Sequence, residues 1–110
     1  MKEVKKPWGS FKQFVLNKKC TVKIIEVKPG EETSLQKHKN RDELWYFLEP
    51  ALINLKNKRF RVREGSLISV KRNSPHKIIA QRKKTRLLEI SFGKFSEKDI
   101  TRLKDKYGRK

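Results

Sequence analysis

The chain has 110 residues, of which 30 are Lys or Arg and 12 are Asp or Glu, and its formal net charge at pH 7 is +18. This length suits one small domain, predicted to span residues 1–110, and the single cysteine, Cys20, excludes both an internal disulfide framework and a cysteine-based zinc site. No apolar run reaches the roughly 18 residues of a membrane span, and no apolar stretch follows the charged start, so we expect a cytoplasmic protein without a signal peptide.

The dominant hydrophobic period along the chain is two, which predicts short, half-buried strands. The first clear strand is Thr21–Lys28, which ends at the turn residues Pro29 and Gly30. Further strands are predicted, in chain order, over Glu43–Glu49, Ala51–Leu55, Arg59–Val62, Ser66–Val70, His76–Gln81 and Leu87–Phe92. Roughly eight or more short strands separated by turn residues are typical of a β-sandwich or a β-barrel.

The period changes after Ser96, a residue type that often caps the N-terminus of a helix. Ile100, Leu103 and Tyr107 would then share one helical face, and Gly108 is a natural C-terminal stop. One short C-terminal helix is therefore predicted after the strands.

The two histidines, His38 and His76, form the basis of a possible metal site. Gln36 and His38 are two residues apart, so on a strand both side chains point to the same face. With Glu43 they offer imidazole, carboxylate and amide donors that suit a divalent transition metal. The alternative interpretation is that these are ordinary surface or hydrogen-bonded side chains, since two histidines are a normal number for this length.

The positive charge alone does not define a partner. The cations are scattered in short groups such as Lys18-Lys19 and Lys71-Arg72, with no basic tail and no nucleic-acid-binding motif. Nucleic-acid binding is therefore an unlikely main function, although a steep salt dependence of binding would reveal it. A positive field favours small phosphorylated ligands instead.

Two stretches resemble the two motifs of the cupin superfamily. The stretch from Gly30 to Pro50 is similar to Gly-x5-His-x-His-x4-Glu-x6-Gly, with Gln36 at the first histidine. The stretch from Gly65 to His76 is similar to the second motif, Gly-x5-Pro-x-Gly-x2-His.

Almost the whole chain, from about Lys6 to Arg109, resembles type II mannose-6-phosphate isomerase. This is the cupin domain that usually ends bifunctional mannose-1-phosphate guanylyltransferase/mannose-6-phosphate isomerase proteins. The segments that resemble it are Lys6-Pro7-Trp8-Gly9, Ser34-Leu35-Gln36-Lys37-His38 with Arg41, Glu43 and Trp45, and Asp105-Lys106-Tyr107-Gly108-Arg109.

The resemblance implies an all-β, single-domain cupin, which is a double-stranded β-helix or jelly-roll-like barrel, followed by the short helix. It also implies one divalent metal ion, which could be Zn, Mn, Fe, Co or Ni. The implied metal ligands are Gln36, His38, Glu43 and His76.

The activity that the resemblance implies is the interconversion of mannose 6-phosphate and fructose 6-phosphate through an enediolate. Glu26 and Glu89 are the candidates for the catalytic base or for a partner of a ligand histidine. Lys37 and Arg41 are the candidates for binding the substrate phosphate. No guanylyltransferase activity is expected, because the chain contains no nucleotide-binding glycine-rich loop.

Two other functions stay open from the sequence. Asn40 and Leu44 replace histidines that are common in the family signature, which leaves a non-catalytic cupin that binds a metal and a sugar or sugar phosphate. A basic nucleic-acid-binding module rests only on the net charge. A homodimer is expected from the fold family, because open barrel edges pair readily.

Overall fold

Eleven β-strands make up the regular structure of residues 1–109, the part of the chain that this computed structural model describes. The strands are β1 Lys2–Lys6, β2 Gly9–Gln13, β3 Thr21–Val27, β4 Leu35–Lys37, β5 Arg41–Phe47, β6 Ala51–Leu55, β7 Lys58–Val62, β8 Leu67–Val70, β9 His76–Ile79, β10 Thr85–Gly93 and β11 Thr101–Lys104. Within these residues no helix is long and apolar enough to cross a membrane.

Two antiparallel sheets build the body of the fold. The four-stranded sheet has the order β3-β10-β5-β8, and the five-stranded sheet has the order β11-β4-β9-β6-β7. The strands β1 and β2 form a separate hairpin, in which Val4 pairs with Phe11. The period-two pattern therefore predicted the all-β class correctly.

The buried side chains on the inner face of β5 change from polar to apolar along the strand. Arg41 and Glu43 are buried at the start of this strand, and Trp45 and Phe47 are fully buried at its end. The apolar core surrounds the second pair and consists of Val27, Trp45, Phe47, Ala51, Ile53, Val62, Val70, Ile78, Ala80 and Leu87. Polar side chains are thus concentrated at the opposite end of the interior, where the candidate site lies.

The predicted C-terminal helix is wrong. After a single turn, in which the backbone N–H of Asp99 donates to the carbonyl of Ser96 at 3.0 Å, the chain forms β11 instead. The proposed helical face could bury little, since Leu103 is 48% exposed and Tyr107 is 49% exposed. Strand β4, by contrast, offers unpaired backbone groups, and Thr101 pairs with Lys37 there. The hydrogen bonds of the strand pair therefore stabilise this segment more than a helix with few apolar side chains on one face would.

A substitution at Thr101 distinguishes a strand from a helix, because the change in the free energy of unfolding has the opposite sign in the two structures. Thr101→Ala is expected to lower the free energy of unfolding by about 0.5–1 kcal/mol, because alanine is a poorer strand residue than threonine. In a helix the same change would be stabilising. Urea denaturation measures the difference, and Thr101→Val, which keeps the β-branched shape, is the matched control. A more stable Thr101→Ala protein would contradict strand β11.

Candidate metal centre

Three buried side chains bring nitrogen and oxygen donors together at the polar end of the interior. His38 follows β4, Glu43 lies on β5 and His76 begins β9, and one donor atom from each lies within 4.8 Å of the others. The residues are only 5%, 3% and 2% exposed, respectively. Three of the four metal ligands predicted from the sequence therefore meet in space.

Both imidazole rings are held in the orientation that metal binding needs. Nδ1 of His38 lies 2.6 Å from the carbonyl oxygen of Asp99, and Nδ1 of His76 lies 2.9 Å from that of Ser74. A carbonyl oxygen only accepts hydrogen bonds, so each Nδ1 carries a hydrogen, and in the neutral imidazole the lone pair is then on Nε2. The two Nε2 atoms face the Glu43 carboxylate at 3.5 Å and 3.9 Å. Backbone carbonyls that orient histidines in this way are typical of metal sites.

Burial also keeps His76 neutral. It lowers the pKa of His76, against the opposing effect of the Glu43 carboxylate. A neutral imidazole is the form that ligates a metal ion.

Gln36 lies next to these donors. Its Cα is paired with that of His76 on the neighbouring strand, so the two side chains share a face of the sheet. Its side-chain oxygen accepts a hydrogen bond from the Ser34 hydroxyl at 3.1 Å. A cleft of about 440 Å³ opens beside it, with Arg102 and Arg109 among the residues that line the cleft.

The two predicted phosphate-binding cations occupy different surroundings. Lys37 is half-buried on β4 and points away from the face that carries Gln36. Arg41 is buried among the donors, where Nη2 donates to Nε2 of His38 at 3.2 Å and Nε donates to Oε2 of Glu43 at 3.0 Å. Arg41 lies two residues before Glu43, so its place on the same face of β5 follows from the period of a strand, but its contact with His38 does not.

The two predicted catalytic carboxylates are also separated. Glu89 is buried on β10, and its desolvation, reinforced by the Glu43 carboxylate, raises the pKa of Glu89 to about 7. Glu26 is exposed on β3 and lies 3.6 Å from the ammonium group of Lys84. The structure therefore brings Glu89, and not Glu26, to the candidate metal centre.

Two residues that the sequence analysis did not assign to the site complete the centre. The carbonyl of Asp99 orients His38, as described above, and its carboxylate accepts the backbone N–H groups of Lys39 at 2.8 Å and Asn40 at 2.9 Å. The indole N–H of Trp45 donates to Oε1 of Glu43 at 3.0 Å. Asp99 lies in the segment after Ser96 where the sequence predicts a helix, and only its acidic side chain shortly after the last long strand could have drawn attention to it.

The turn before β5 also depends on a glycine. Gly93 ends β10 with a φ of 107°, and a Cβ built on it would lie only 2.5 Å from the carbonyl oxygen of Asn40. A larger residue would push the turn, and with it Arg41, out of place. Leu44, in contrast, points to the outer face of β5, so replacement of a family histidine there does not remove a donor from the centre.

Loss of the Asp99 carboxylate is expected to loosen this turn. Asp99→Ala removes the acceptor for two backbone N–H groups next to His38, and we expect zinc affinity to fall roughly 10-fold. A competition titration against a chromophoric chelator measures the change. The zinc affinity of Asp99→Asn, which keeps one oxygen acceptor, should lie between that of the wild type and that of Asp99→Ala. Unchanged affinity in Asp99→Ala would show that the carboxylate does not position His38.

Comparison with known proteins places this chain in a family. The family model described as "Mannose-6-phosphate isomerase C-terminal" matches residues 1–105. The chain belongs to this family. The resemblance that the sequence motifs indicated is thereby confirmed.

Curated relatives of this mannose-6-phosphate isomerase C-terminal domain are longer proteins. It is 34% identical over 110 residues to the alginate biosynthesis protein AlgA of Pseudomonas aeruginosa, covering 97% of this chain and 23% of that protein. It is 34% identical over 116 residues to the mannose-1-phosphate guanylyltransferase of Salmonella montevideo, covering 98% of this chain and 24% of that protein. The chain thus spans about a quarter of the length of these relatives.

Solved structures identify the fold of the domain as a cupin. A cupin domain from Schizosaccharomyces pombe superimposes with a TM-score of 0.64 at 15% identity, over 74% of this chain and 61% of that one. The predicted double-stranded β-helix is confirmed, with strand β11 in place of the predicted helix.

Proposed function

We propose that this chain is a metal-dependent isomerase that interconverts mannose 6-phosphate and fructose 6-phosphate. The observation that supports it best is the pair of buried histidines, His38 and His76, whose Nε2 lone pairs face Glu43 in a mannose-6-phosphate isomerase C-terminal domain. Backbone carbonyls hold the two rings so that both Nε2 atoms face the same carboxylate.

The donors fit a divalent transition metal ion. Nε2 of His38, Nε2 of His76 and the Glu43 carboxylate would hold it, with Gln36 as an amide oxygen donor on the same face. When bound, the ion supplies the positive charge that stabilises the negative charge developing on the sugar oxygens.

Glu89 is the proposed proton-transfer group. It is the buried carboxylate that lies beside Glu43 without belonging to the donor set. It would take the proton from C2 of the open-chain aldose and return it to C1, while the hydroxyl proton moves from O2 to O1. Atoms and charge balance without a further reactant, because the product is an isomer of the substrate.

The cleft beside Gln36 is the proposed position of the sugar phosphate. Its volume of about 440 Å³ suits a hexose phosphate, and Arg102 lies opposite Gln36 on β11. A guanidinium there can bind the phosphate oxygens with two parallel hydrogen bonds. Lys37 and Arg41, which the resemblance implies as phosphate-binding residues, do not line this cleft.

A second candidate function is a cupin that binds a metal and a sugar phosphate without converting it. The burial of all three donors favours it, because a substrate must reach the metal ligands and each of them is 5% exposed or less. The two functions share the metal centre and differ only in turnover.

The experiment that separates them is an NMR time course in deuterated water with the zinc-loaded protein and mannose 6-phosphate. Isomerase chemistry produces fructose 6-phosphate or deuterium at C2. Glu89→Gln should lose both signals while it keeps zinc, and Glu26→Gln tests the other predicted carboxylate. The isomerase proposal is overturned in favour of the binding function if the zinc-loaded wild type shows neither conversion nor exchange. The same must hold after zinc is replaced by a second diamagnetic metal.

A further inference from the structure

Arg41 lies inside the candidate metal centre, and all three of its guanidinium nitrogens are engaged there. Besides the contacts to His38 and Glu43 described above, Nη1 donates to the carbonyl of Ser96 at 3.0 Å. Its Cζ atom lies 4.5 Å from the centroid of the Phe95 ring. The guanidinium is only 7% exposed. It is therefore a fixed part of the centre and not a surface charge near it.

The contact with His38 uses the lone pair that a metal ion needs. Nδ1 of His38 donates to the Asp99 carbonyl, and Nη2 of Arg41, which can only donate, lies 3.2 Å from Nε2, so Nε2 accepts with the one lone pair in the plane of the ring. That lone pair can accept a hydrogen bond from Arg41 or ligate a cation, but it cannot do both. Oε2 of Glu43 is engaged by the same guanidinium.

We propose that the Arg41 guanidinium and the metal ion compete for Nε2 of His38, so that Arg41 must release this nitrogen before the centre is loaded. This inference rests on the metal centre of the proposed function. Without a metal ion, Arg41 neutralises the buried Glu43 carboxylate and stabilises the protein. When a metal ion binds, the contact with Nε2 of His38 has to be broken, so the affinity for the ion is reduced.

The size of the effect follows from the kind of contact that is lost. The hydrogen bond from the charged guanidinium to Nε2 of His38, in a buried site, is broken on loading. A protein without the guanidinium is therefore expected to bind zinc roughly 10-fold to 100-fold more tightly.

Zinc affinity of the metal-free protein, measured by competition with a chromophoric chelator, tests the proposal. Arg41→Met removes the guanidinium and keeps an unbranched side chain, and we expect the tighter binding stated above. Arg41→Lys keeps a positive charge without the forked geometry, and we expect an intermediate affinity. It also provides a folded variant that lacks the guanidinium if the buried Glu43 prevents Arg41→Met from folding.

Arg72→Gln is the matched control for a change in net charge. The Arg72 guanidinium lies near the same end of the barrel, 3.7 Å from Asp42, and is half exposed. It contacts none of the three donors, so its removal changes the local electrostatic field only. We expect its zinc affinity to stay within about twofold of the wild type.

Thermal unfolding supplies a second readout that does not depend on activity. Without metal, Arg41→Met should unfold at a lower temperature than the wild type. Saturating zinc should then raise its unfolding temperature by more than it raises that of the wild type.

The outcomes distinguish failure of the competition from failure of the metal centre. If the wild type binds zinc and both Arg41 variants bind it equally or more weakly, the competition is wrong while the metal centre stands. If neither the wild type nor the variants bind zinc or cobalt, the metal centre is wrong and the competition with it. Tighter binding in Arg72→Gln, to the same extent as in Arg41→Met, would show that only the net charge matters and would also overturn the competition.

Discussion

Replacement of His76 by alanine is expected to abolish metal-dependent turnover and to weaken zinc binding by more than 100-fold. His76 contributes one of three buried donors, and loss of a ligand costs more than the roughly 10-fold to 100-fold that loss of a supporting contact costs. The same result is expected for His38→Ala. Zinc titration of the metal-free proteins measures the affinity, and the NMR time course measures turnover.

Packing must be separated from ligation in this experiment. The His76 ring lies 5.3 Å from the Trp45 ring at an angle of 77°, so alanine also removes an aromatic contact. His76→Phe keeps a ring at this position without a metal-binding nitrogen and should lose zinc as completely as alanine does. Lys77→Gln, whose side chain points to the opposite face of β9, should keep the wild-type affinity. Full turnover in both His38→Ala and His76→Ala would contradict the metal centre.

The second large effect is expected at Trp45, where core and site meet. Trp45→Ala should lower the free energy of unfolding by about 3–5 kcal/mol, because the side chain is fully buried and its removal leaves a large cavity. The indole ring also packs edge-to-face on Phe47, with 6.1 Å between the ring centroids. Urea denaturation of the metal-free protein, followed by circular dichroism, measures the change.

Trp45→Phe separates the volume of the indole from its hydrogen bond. Phenylalanine keeps most of the apolar contact but cannot donate to Oε1 of Glu43, so a buried carboxylate oxygen loses its donor. We expect a smaller loss of about 1–3 kcal/mol. A cost for Trp45→Ala below about 1 kcal/mol would mean that this end of the core is not closely packed.

The strands with an apolar face could be predicted from the sequence, and the others could not. The density of β-branched and apolar residues predicts Thr21–Lys28, one residue longer than β3, although Val22 and Ile24 are exposed on its outer face. Strand β4 has only three residues and the β1–β2 hairpin has no regular apolar alternation, so neither produces a periodic signal. Strand β11 exists because β4 lies beside it, and a pairing of this kind is not visible in a local pattern.

The candidate site also contains residues that the sequence predicts and contacts that it does not. The donors His38, Glu43 and His76 belong to motifs with regular spacing and were predicted before the fold was known. The contacts that orient them come from elsewhere: Asp99 is 61 residues from His38, and the buried guanidinium of Arg41 depends on the precise course of the turn before β5. Residue type and spacing indicate which side chains can ligate, and only the packed structure indicates what holds them.

The bond between His38 and the Asp99 carbonyl also has a consequence for synthesis of the protein. During translation the ribosome releases β4 and β5 long before the segment that contains Asp99, because 61 residues separate the two partners. Until that segment emerges, the His38 ring is free to rotate and to exchange its tautomer, and strand β4 lacks its neighbour β11. A nascent chain that stops after β10 would therefore carry both histidines and Glu43 without the backbone carbonyl that directs His38, so tight metal capture would come after the barrel strands have left the ribosome.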